Sequence, residues 1–278
     1  MCNCPKNLLP LLFLVVSCGN SLARQSLQTQ QITLFSQQVN DSFDIHITLP
    51  MNYRNPQKHF PVVFYLDANL RSGNKMRTII DEFNNKKHPL DAVFVGVGHF
   101  GNEHALRRRD FITPFKKNKC DSLISDDPNY GQAENFYRFI ENELIPYVDQ
   151  HYRVTARRSL VGHSLGGLFT FYCLFKKDRL FTNFIALSPS FWINSENIYE
   201  FEKRYRADST RLHANVCMCV GGAERFNFIL NGTRRMKTHL EKYPLEGLHL
   251  EYDEFPGQTH NSEVAIALNQ VLPTLKSE

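Results

Sequence analysis

Residues 158–175 read RSLVGHSLGGLFTFYCLF: a short apolar run, then Gly162-His163-Ser164-Leu165-Gly166, then an apolar stretch at helical spacing. The central residues match the pattern G-x-S-x-G, and they fall where an extended segment gives way to a helix, the context that gives the pattern meaning. A serine at such a sharp turn takes a strained backbone conformation, and side chains two positions to either side would crowd it. Glycine at 162 and 166 is expected to relieve that crowding. The hydroxyl of Ser164 then stands clear of the sheet, at the start of a helix whose first N–H groups and positive dipole end favour developing negative charge. Ser164 is the candidate nucleophile.

Outward from that turn, extended and helical segments alternate. Upstream, ITLFSQQVNDSFDIHITLP reads as two strands joined at Asn40-Asp41, and HFPVVFYLDANL as a buried strand running into a loop. RSGNKMRTIIDEF has helical spacing, and LDAVFVGVGHF holds a second buried strand over Ala92 to Val97. Residues 116–135 are polar and rich in turn formers, which predicts a long surface insertion; FYRFIENELIPYVDQHY follows as an amphipathic helix. Downstream, FTNFIALSPSF, NVCMCVGGAE and LHLEYDEFP read as strands with helical segments between them. Short apolar strands alternating with helices predict an α/β fold, with a mostly parallel central sheet covered by helices on both faces. The length of 278 residues suits one such domain over residues 24–278.

Composition is ordinary for a globular chain, with 42% hydrophobic and 22% charged residues and a formal charge of +4. That charge is spread out, its nearest approach to a cluster being Arg107, Arg108 and Arg109, so nucleic acid is not an expected partner. Residues 1–23 differ in kind. Lys6 precedes the apolar run Leu8 to Val16 and small residues follow, the layout of a secretory signal, and the run is too short to span a bilayer. Two processing routes fit. One is cleavage after Ala23; the other is cleavage before Cys18 at Val15-Val16-Ser17-Cys18, a degenerate bacterial lipobox that would remove residues 1–17 and place a lipid anchor on Cys18. The protein is expected to be exported, to the periplasm or the extracellular space, free or anchored. Cys120, Cys173, Cys217 and Cys219 lie beyond the signal region with no metal spacing that a histidine completes, so no metal or cofactor is expected. Cys217 and Cys219 would point to one face of a strand as small buried residues. A disulfide involving Cys120 stays open.

A serine hydroxyl needs a base to become a good nucleophile. EYDEFPGQTHNSEVAIAL places His260 in a polar loop after the last strand and before a final helix, where the chain order serine, acid, histidine puts the base. For the acid, Glu224 is the first carboxylate at the end of the penultimate strand, with Asp253 and Glu254, on or beside the last strand, as rivals.

Taken together, these segments resemble the esterase family of the α/β-hydrolase fold that includes esterase D and the enterochelin and salmochelin esterases. FYLDANL resembles that family's strand ending in an Asp-Gly-Asn segment, and RRRDFITP its Arg-Asp-aromatic-Thr-Pro segment. SLVGHSLGG is similar to its serine turn, SPSFW follows the next strand, and FPGQTHNS is similar to its histidine loop. The resemblance covers most of the chain after the signal. It implies Ser164 as nucleophile, His260 as base and Glu224 as acid, with the Leu165 N–H and an N–H at Ala68 or Asn69 forming an oxyanion hole. Ala68 stands where the family commonly has glycine, so this part of the loop is less free to take positive φ.

The implied activity is hydrolysis of a carboxylic ester through an acyl-enzyme intermediate, on a small, aryl or siderophore-like ester, without a cofactor. Substrate choice falls to the loops: the insertion at 116–135, Phe191, Trp192 and Arg109 are expected to line or approach the cleft, rings for an aromatic acyl group and an arginine for an anionic one. Two alternatives remain, an acyltransferase using the same triad and a non-catalytic binding protein of this fold. The oligomeric state is unknown from sequence.

Overall fold

The computed structural model describes residues 28–69, 76–84, 90–113 and 130–276. The expected signal with Cys18, the cysteine Cys120 and most of the expected insertion at 116–135 lie outside the described residues.

Strands β1 (Gln28–Ser36) and β2 (Asp41–Leu49) form the expected hairpin, with Asn40 at φ 57° in its turn. β3 (Phe60–Leu66) precedes helix α1 (Met76–Asn84), and β4 (Val93–His99) precedes α2 (Glu103–Phe111). Next come α3 (Ala133–Phe139), α4 (Ile145–His151), β5 (Val154–His163) and α5 (Leu165–Leu174). β6 (Asn183–Leu187), α6 (Ile198–Asp208), β7 (Arg211–Gly221), α7 (Asn227–Lys242), β8 (Glu246–Phe255) and α8 (Glu263–Val271) complete the chain. The sheet runs β1-β2-β4-β3-β5-β6-β7-β8, with β1/β2 and β2/β4 antiparallel and every later neighbour parallel. This is the mostly parallel α/β-hydrolase arrangement that the sequence predicts.

Strand alternation divides the apolar side chains between two cores. Val62, Phe64 and Leu66 of β3 pack on one face with Phe136, Phe139, Leu168 and Phe169, whereas Val63 and Tyr65 face Met76 and Ile80 of α1 and Val264 and Leu268 of α8. The first core is aromatic: Phe43 stacks on Phe139 with ring centroids 4.4 Å apart, and Phe136 meets Phe169 edge-on at 5.1 Å. Burying each such ring contributes about 1.5–3 kcal/mol.

Two elements differ from expectation. Helix α2 begins at Asn102, whose side chain accepts from the Ala105 N–H at 3.3 Å, and carries three consecutive arginines that mask any apolar period. The amphipathic helix from Ala133 to His151 is continuous but widens to a π turn over Ile140–Leu144, where the Ile145 N–H reaches back to the Ile140 carbonyl. Pro146 follows at once; it has no N–H to give, and a widened turn just ahead of it lets the helix absorb the missing bond without ending. Among the described residues no helix is long and apolar enough to cross a membrane.

Candidate active site

The carboxyl ends of the parallel strands carry the functional loops. β5 ends at His163 and α5 starts at Leu165, which leaves Ser164 alone in the turn at φ 58°, ψ −115°. A β-carbon on Gly162 would lie 2.2 Å from the Gly166 carbonyl oxygen, so no side chain fits there. At Gly166 the nearest atom is a Leu66 methyl at 3.4 Å, an ordinary contact; the second crowded position is Gly167, 3.0 Å from Pro189 Cα. The expectation that glycines two positions either side of the serine relieve a clash therefore holds before Ser164 and shifts by one residue after it. The turn is pinned by the Ser164 N–H to Leu187 O at 2.9 Å and the Ser190 N–H to Ser164 O at 3.1 Å. Ser164 Oγ lies 3.2 Å from Ser190 Oγ.

His260, in the loop between β8 and α8, presents Nδ1 to both carboxylate oxygens of Glu224, each at 3.1 Å. Glu224 is buried, and its Oε1 also accepts the Ser188 hydroxyl at 2.6 Å. The rivals are engaged elsewhere. Asp253 Oδ2 accepts from Gln270 Nε2 at 2.9 Å, and Glu254 takes a two-toothed pair from Arg234 at 2.9 and 2.5 Å. Beneath His260 lies His163, its ring centroid 4.5 Å away and its Nε2–H donating to the His260 carbonyl at 2.7 Å. Burial, followed by the nearness of His260, holds the His163 pKa well below the usual histidine value, so this ring is a neutral donor.

The loop after β3 faces the turn. Asp67 takes φ 61° and receives a bidentate pair from Arg107, Nε to Oδ1 at 2.7 Å and Nη2 to Oδ2 at 3.0 Å, while Nη2 also reaches the His163 carbonyl at 3.3 Å. Arg107 thus bridges the Asp67 loop and the serine turn. The Ala68 N–H donates to Val97 O at 3.1 Å, so Ala68 is corrected as a candidate oxyanion donor: its amide is committed to the sheet. Asn69 remains, its side chain fixed by Nδ2–H bonds to His99 O (2.7 Å) and Asp44 Oδ2 (3.2 Å) and by accepting the His99 N–H at 3.0 Å. Leu165 opens α5, and its N–H is among the first amides of a helix, which have no intrahelical acceptor.

Two expected substrate contacts are also corrected. Arg109 spends its donors on Asp110 (2.7 and 2.9 Å) and Asp41 (2.7 Å), a half-buried structural pairing rather than a charge turned to the cleft. Phe191 is a core residue, edge-on to Phe171 at 4.7 Å. Trp192 is half-buried and packs 4.7 Å from Phe228, which stacks in parallel on Phe226 at 5.1 Å; both phenylalanines are exposed. Phe226 and Phe228 come just after Glu224 in the chain, and the alternation rules used for the strands have no purchase on a loop. Residues 130–135 are the described part of the expected insertion, and Tyr130 there donates to Asn194 Oδ1 at 3.2 Å.

Among the described residues the one cluster with metal-ligand chemistry is Cys217, Cys219 and Asp253, with donor atoms within 4.8 Å of one another. The two sulfurs are 3.6 Å apart on one strand face, and the hydrogen bond with Cys217 together with burial pushes the Cys219 thiol well up, which keeps it protonated.

The family model described as "Putative esterase" matches residues 36–274. The chain is 28% identical over 255 residues to the ferri-bacillibactin esterase BesA of Bacillus subtilis, covering 88% of each chain. It is 38% identical over 156 residues to the siderophore enterobactin esterase of Emericella nidulans, covering 51% of this chain and 50% of that one. Among solved structures, the BES protein from Bacillus cereus superposes with a TM-score of 0.77 at 25% identity, over 90% of this chain and 96% of the other.

Proposed function

Because the chain belongs to the Putative esterase family, and is a serine hydrolase of carboxylic esters with the α/β-hydrolase fold, we propose that it cleaves the ester bonds of aryl siderophores through Ser164, His260 and Glu224. The observation that carries the residue roles is the seat of His260 Nδ1 at 3.1 Å from both Glu224 oxygens. A carboxylate only accepts, so the imidazole proton sits on Nδ1 and Nε2 is left as the base. In this reading Ser164 Oγ, released from Ser190, attacks the ester carbonyl as Nε2 takes its proton. The tetrahedral oxygen is met by the N–H groups of Leu165 and Asn69, each such donor being worth roughly 3 kcal/mol in the transition state. Collapse expels the alcohol with the proton from His260, and water repeats the sequence on the acyl enzyme.

The substrate class rests on the relatives, one named a ferri-bacillibactin esterase and one a siderophore enterobactin esterase, and on the exposed rings of Phe226 and Phe228 beside Trp192, a flat surface suited to an aryl acyl group. The test is incubation of the purified protein with a triscatecholate trilactone, iron-loaded and iron-free, with methyl ferulate and with p-nitrophenyl acetate, and product analysis by mass spectrometry. Cleavage of the trilactone at kcat/KM at least tenfold above the simple esters, absent in Ser164→Ala, is expected. Preference for methyl ferulate would overturn the siderophore reading, and acyl transfer to added glycerol in place of hydrolysis would make the protein a transferase.

A further inference from the structure

Glu263 stands in the first turn of α8, three residues after His260, and its side chain is entirely buried. Neither carboxyl oxygen has a hydrogen-bond partner among the described residues. Its polar neighbours come from β5 and β7 and from the segments after β6 and β7. His163 Nε2 at the end of β5 is 4.0 Å from Oε1, Ser188 lies beyond β6, Glu224 in the loop after β7 raises its pKa, and Glu263 in turn acts on Cys219 of β7. Ser188 alone offers an anion a hydrogen bond, and only in competition with Glu224. The Ser188 hydroxyl is committed to Glu224 Oε1, the His163 Nε2–H to the His260 carbonyl, and Glu224 repels. A carboxylate so placed would be a buried charge without compensation, beside one that the triad needs.

We propose that Glu263 is a positioning residue of the site, bearing through Ser188 and Glu224 on the imidazole of His260 and through His163 on its backbone, and that it serves in its uncharged form. The inference rests on the reading of Ser164, His260 and Glu224 given above. Burial pushes Glu263 up to about 8, with Glu224 adding to the rise against Ser188, so the carboxyl is neutral at pH 7 and one negative charge faces His260. Above that pH a second charge enters the cluster. It repels Glu224, the carboxylate that holds His260 Nδ1, and draws a proton towards His163, whose ring lies under that imidazole. Activity should fall on the alkaline side, where a lone histidine base would give a plateau.

Stability follows the same group. Between the ordinary value of 4.5 and about 8 the folded protein holds a proton that the unfolded chain has released. Folding is therefore favoured at the acid end of that window and weakened as pH rises through it.

The experiment compares wild type, Glu263→Gln and Glu263→Ala by the rate at which a fluorophosphonate labels Ser164 from pH 6 to 9.5, with melting temperatures across the same range. Wild type is expected to label with a fall centred near pH 8. Glu263→Gln should remove that fall and melt above wild type at pH 8.5, and Glu263→Ala should label about tenfold more slowly at pH 7, with Gln restoring the rate. Superposable pH profiles for wild type and Gln, or equal loss in Gln and Ala, would overturn the role of Glu263. Wild type that fails to label at any pH would instead overturn the assignment of Ser164.

Discussion

Three acidic side chains compete for His260, and their partners decide between them. Glu224 holds Nδ1 with both oxygens, Asp253 is turned to Gln270, and Glu254 to Arg234. Replacing Glu224 by Gln should lower kcat by roughly 10² to 10⁴-fold, because the imidazole loses both its tautomer and the charge that stabilises its protonated form. KM and labelling of Ser164 at saturating probe should change little. Asp253→Asn should stay within about threefold of wild type, as expected for a substitution outside the site. Steady-state kinetics on an aryl ester decide it: normal turnover in Glu224→Gln with a crippled Asp253→Asn would reverse the assignment. Ser164 and Glu224 were legible because each follows a strand that its own apolar run announces. Arg109 was not. Which of three consecutive arginines turns inward depends on the phase of a helix that the run RRR itself hides, and it is Arg107 that reaches the site.

That helix, α2, matters as an element because it carries the clamp between two loops. Arg107 binds Asp67 on one side and the carbonyl before Ser164 on the other, and both side chains are buried. Arg107→Ala would leave Asp67 buried and unpaired, so it should destabilise the fold by about 3–5 kcal/mol in urea unfolding. It should also lower kcat more than it raises KM, since the loop carrying Asn69 loses its tie to the turn. A variant as stable as wild type would show that Asp67 is held by other means. Most elements could be read from sequence: β3, β4 and β6 are mainly apolar runs, as strands buried on both faces tend to be. The π turn could not, because Pro146 announces a break and only the packing of Phe139, Ile140 and Leu144 into the core makes the widened continuation preferable.

At the scale of the whole molecule, export is the expectation that most affects how the protein is prepared. Material secreted by a bacterial host should begin at Cys18, with a lipid mass, or at Arg24, and mass spectrometry finding Met1 intact in exported protein would count against processing. The sheet order has a separate consequence, for the time at which the site comes into being. Ser164, Glu224 and His260 hang from β5, β7 and β8, and among the described residues β8 is an edge strand paired with β7 alone. Parallel neighbours meet only after the crossover between them has been closed, so their pairing is slow compared with helix formation. During synthesis the nucleophile is made nearly a hundred residues before its base, and the chain can be largely collapsed while still inert. In refolding, recovery of Ser164 reactivity should trail the return of helical circular dichroism, which makes the active site a clock for the docking of the last strand.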